Sequence, residues 1–65
     1  MNGKEKAILS KLKEELKVVR EQGLDAKDIT LILIGVKDTY IKCREILNLE
    51  LSEEFLDSIN NLHKK

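Results

Sequence analysis

A chain of 65 residues with a single cysteine, Cys43, has no internal disulfide with which to staple itself, and that limits how it can fold. A domain this short buries a smaller share of its surface than a larger one does. Without a disulfide, it reaches a stable core through tight helix packing or through self-association. A second domain does not fit in this length.

The composition favours helices. There is no proline, 42% of residues are apolar and 37% charged, and the only aromatics are Tyr40 and Phe55. Twelve basic side chains balance twelve acidic ones, so no global field gathers nucleic acid or anionic lipid. Residues 1–22 nevertheless carry an excess of two positive charges, six basic against four acidic. Residues 50–65 carry the opposite excess, two basic against four acidic. The longest apolar run, Leu31–Ile34, falls far short of the ~20 residues that cross a bilayer. Met1–Lys6 leads into an amphipathic pattern rather than a signal-peptide core. A cytoplasmic, non-membrane protein is the expectation.

Helical periodicity organises the chain. Leu9, Leu12, Leu16 and Val19 recur at spacings of three, four and three, widened by Ile8 and Val18, and Gly23 stands where a C-terminal cap would sit. Asp25 is placed to cap a second helix, with Leu24 stapled to Ile29. The β-branched run Ile29–Ile34 would also suit a buried strand or a strand paired across chains. The cap and the absence of a partner strand favour helix. Gly35 then reads as a stop, with Asp38 capping a third helix that Asn48 closes. Ser52 caps a fourth with the stripe Phe55, Leu56, Ile59 and Leu62, and His63, Lys64 and Lys65 suit its C-terminal dipole. The expected fold is all-α: a single domain of three to four short helices at about 4–22, 26–34, 39–47 and 52–63.

Asp28 to Arg44 resembles a helix-turn-helix, with a first helix, a glycine turn followed by an apolar residue, and a capped second helix. The resemblance implies nucleic-acid contacts through Lys37, Thr39, Tyr40, Lys42 and Arg44. Leu31 stands where the motif favours a small residue, Arg44 where it favours an apolar one, and Asp38 and Glu45 dilute the basic face.

The reactive inventory is thin. Cys43 and His63 fall on different helices, Cys43 reads as a packing residue and His63 as a solvated one at a helix end. Glu53 and Asp57 form a lone carboxylate pair, short of a metal site. No glycine loop for phosphate is present. The expectation is a non-enzymatic chain with no metal or cofactor.

Excess apolar character around residues 29–36, together with the stripe Leu9, Leu12, Leu16 and Val19, directs the reading toward a protein-interaction module: a regulator, adaptor or inhibitor that dimerises or docks on a larger protein. Its expected interface is Leu9, Leu12, Leu16, Val19, Ile29, Ile32, Leu33 and Val36. The partner is protein, self (as a homodimer) or both, with DNA binding through residues 37–44 as the alternative.

Overall fold

A computed structural model describes residues 1–63, most of which lie in three helices. They are α1 (Gly3–Glu21), α2 (Ala26–Leu47) and α3 (Glu53–Asn61). No strand occurs among the described residues, so the ambiguous run Ile29–Ile34 is helical. Lys64 and Lys65, read above as complementing the last helix dipole, lie outside the described residues.

Each helix start is fixed by a side chain that satisfies a backbone N–H which has no partner within the helix. The Asn2 side chain accepts from the Glu5 N–H at 2.8 Å while the Glu5 carboxylate accepts from the Asn2 N–H at 3.1 Å, a reciprocal capping box. The Asp25 carboxylate accepts from the Asp28 N–H at 3.0 Å, and the Ser52 hydroxyl accepts from the Phe55 N–H at 3.1 Å. Two helix ends use the left-handed region: Gly23 follows α1 at φ 99°, and Asn48 closes α2 at φ 56°.

The expected break at Gly35 does not occur. The segments read as 26–34 and 39–47 are one 22-residue helix, so the central pair is not two helices around a turn. Gly35 has no positive φ, and glycine inside a helix costs only about 0.5–1 kcal/mol relative to alanine. Continuing the helix keeps Ile29, Leu33, Val36 and Tyr40, spaced at four, three and four, on one face against the core. That packing outweighs the local cost. Asp38, read as a cap, is an exposed mid-helix residue, and the Thr39 hydroxyl donates to the Gly35 carbonyl four residues back at 2.9 Å.

The core is small. Leu16 of α1, Ile29 and Leu33 of α2, and Phe55, Leu56 and Ile59 of α3 are its buried side chains. Half of them come from the nine-residue α3. Tyr40 packs edge-on against Phe55 with ring centroids 5.4 Å apart and planes at 84°, the geometry that sets a positive ring edge on a negative face. α3 packs closely on both long helices, whereas α1 and α2 approach each other far less closely. At 1.5 Å per residue α2 is about 33 Å long, and it sets the 36 Å longest dimension of the molecule.

Candidate functional site

A groove lies between α1 and α2, and no α3 residue is among those that line it. Leu12, Leu16, Val18 and Val19 line it from α1, and Ile32, Leu33 and Val36 from α2, with Glu15 and Gln22 as polar lip residues. A neighbouring hollow shares Leu12 and Glu15 with it and is lined further by Lys4, Ile8, Lys11 and Tyr40. Helical spacing produces this wall. On α1, Ile8, Leu12, Glu15 and Val19 fall along one side of the core stripe; on α2, Ile32 and Val36 do the same.

The interface residues expected from the sequence divide by depth. Ile29 is buried in the protein's own core, and Leu16 and Leu33, 5% and 1% exposed, form the floor of the groove with almost no surface to offer a partner. Leu9, Leu12, Val19 and Val36 are half-buried against that core, and Ile32 is 41% exposed at the groove rim. Periodicity marks one stripe on each helix without separating core-facing residues from groove-lining ones, and Leu9 lies away from the groove, beside Lys6, Ser10, Lys13 and Leu62. Periodicity locates a face, but α3's docking decides how much of that face remains open.

Sequence reasoning did not single out the C-terminal third of α2 as a surface. There Ile46 is 79% exposed and Leu47 63% exposed, next to Thr39, Lys42 and Cys43. Leu31 and Ile34 are exposed on the outer side of the helix. A signal was present: Ile32, Val36, Thr39, Cys43 and Ile46 repeat at four, three, four and three, a two-heptad seam. The assumed break at Gly35 hid it.

The five residues that the helix-turn-helix resemblance assigned to nucleic acid do not form one exposed face. The Lys37 ammonium sits 3.5 Å from the Asp57 carboxylate and the Arg44 guanidinium 2.8 Å from that of Glu53, tying α2 to α3. Tyr40 is packed on Phe55. Only Thr39 and Lys42 are exposed, on the side of Ile46.

Among the described residues one polar residue is buried, and it too was missed. Glu5 is 3% exposed. Its carboxylate accepts from the Ser52 N–H at 2.8 Å and from the Ser52 hydroxyl at 3.3 Å as well as from the Asn2 N–H. It joins the first turn of α1 to the first turn of α3. The Ser52 backbone hydrogen bond is the main reason its carboxyl titrates below the ordinary glutamate value, against an opposing effect of burial. The Asn2-x-x-Glu5 spacing is a capping-box signature that could have revealed half of this arrangement.

Cys43 is half-buried on α2, and the His63 ring Nδ1 lies against the Asn60 carbonyl. Among the described residues no three His, Cys, Asp or Glu side chains come together as a metal site would need, and no helix is long and apolar enough to cross a membrane. Comparison with protein-family models, curated proteins and solved structures gave no match.

Proposed function

We propose that this protein is a non-enzymatic interaction module that accepts an apolar helix in the groove between α1 and α2. A regulator, adaptor or inhibitor would work in this way. The observation that carries the reading is the apolar lining of a groove that α3 leaves open, with Ile32 and Val18 exposed at its rims. Amphipathic helices dock into such grooves through residues repeating at three and four. The DNA-binding alternative has less support. The glycine turn it needs is the middle of a helix, and two of its five residues are engaged with α3 carboxylates.

The test is capture by tagged wild-type protein from lysate with and without nuclease treatment, alongside a sizing measurement, with Ile32→Glu and Val18→Glu as comparisons. Wild-type protein should hold a protein in stoichiometric amount, its own chain or another. Both variants should lose it by at least tenfold in affinity while keeping their helical circular dichroism. Recovery of nothing but nuclease-sensitive material would sink the reading.

A further inference from the structure

Resting on that reading, we infer that the helix received by the groove is α2 of a second copy, in an antiparallel, two-fold symmetric pair centred on Thr39. The helical face that carries the groove also carries a projection that fits it. At its N-terminal end the α2 seam opens onto the apolar cleft lined by Leu12, Val18, Val19, Ile32 and Val36. At its C-terminal end Ile46 and Leu47 stand out, 79% and 63% exposed, with no helix of the same chain over them. A two-fold axis at Thr39 sets Ile46 of each copy against Ile32 of the other, and Cys43 level with Gly35, one residue from Val36. Each projection then enters the other copy's groove, and both are used twice, as an isologous interface requires.

Charge follows the same arrangement. Lys42 borders the projecting end and Glu15 borders the groove. Neither forms an ion pair among the described residues. The antiparallel pairing brings Lys42 of one copy toward Glu15 of the other, whereas a parallel pairing sets Lys42 against Lys42 and leaves the grooves unfilled.

The register has a covalent readout. Cys43 lies four residues from the axis in each copy, so two Cys43 residues are separated by about 12 Å along the helices at 1.5 Å per residue, beyond the ~7 Å Cα separation that a disulfide bridges. Residue 39 sits on the axis. Light scattering should give twice the 7.5 kDa chain mass. Ile46→Glu should weaken association at least tenfold with unchanged helicity. Lys42→Glu should weaken it about 2- to 5-fold, an effect that Glu15→Lys reverses when the two are combined. Under mild oxidation Thr39→Cys in a Cys43→Ser background should form a covalent dimer, while the wild-type protein should not. A monomeric wild-type protein, or ready cross-linking through Cys43, overturns the proposal. In the monomeric case, retention of a different protein in the capture experiment leaves the docking groove standing without its self-association.

Discussion

At the scale of single residues, Glu5 decides how two helix starts are held together. Its carboxylate accepts hydrogen bonds from residues on both sides of the junction, Asn2 and Ser52. An amide in its place offers one acceptor oxygen and leaves a buried donor without a partner. Glu5→Gln should therefore lower the melting temperature by at least about 5 °C at pH 7, a large shift for a domain of this size. The pH dependence has a definite sign. A carboxyl that titrates lower in the native state than in the unfolded chain contributes its full stability above the unfolded value, about 4.5 for glutamate. The contribution is lost as pH falls below that value and through the lowered native one. Melting curves from pH 7 to pH 2 should show this acid-side loss in the wild-type protein and a shallower one in Glu5→Gln. Equal slopes would show that Glu5 is not the group responsible.

At the scale of helices, the sequence was most legible where a terminus has its own local chemistry. Asp25 and Ser52 cap the helices they were read to cap, and Gly23 and Asn48 take the left-handed conformations that end α1 and α2. It was least legible in the middle of α2, where Gly35 looks like a stop and is not. Local signals record what a glycine permits. The continuous face from Ile29 to Tyr40 that overrides it exists only once α3 is docked. The two glycines should respond oppositely to alanine. At Gly35 a Cβ meets no atom within 4 Å and φ is not positive, so Gly35→Ala should stabilise the fold by about 0.5–1 kcal/mol. At Gly23, φ 99° disfavours any Cβ, and Gly23→Ala should destabilise by about 1 kcal/mol or more. Paired urea titrations measure both, and a loss of stability in Gly35→Ala would contradict the account given of α2. The groove was half legible for a related reason. Helical spacing identified Leu12, Val19, Ile32 and Val36, but the openness of the cleft depends on how far α1 and α2 stand apart, which no spacing within one helix encodes.

At the scale of the whole molecule, six side chains make the buried core among the described residues, and the total stability of a domain this size is about 3–10 kcal/mol. Burial between two copies would add to that sum, and mass action then links stability to concentration. The melting temperature should rise by several degrees when protein concentration is raised a hundredfold. Ile46→Glu should abolish the dependence, and a wild-type melting temperature independent of concentration would argue against association at these concentrations. The short α3 has a separate consequence. Nine residues are too few to hold a helix in water without tertiary support, yet they supply Phe55, Leu56 and Ile59, half of the buried core. Undocking α3 would strip Leu16, Ile29 and Leu33 of their cover. The amide hydrogens of the shortest helix should thus be among the slowest to exchange with solvent, released only when the entire chain opens at once.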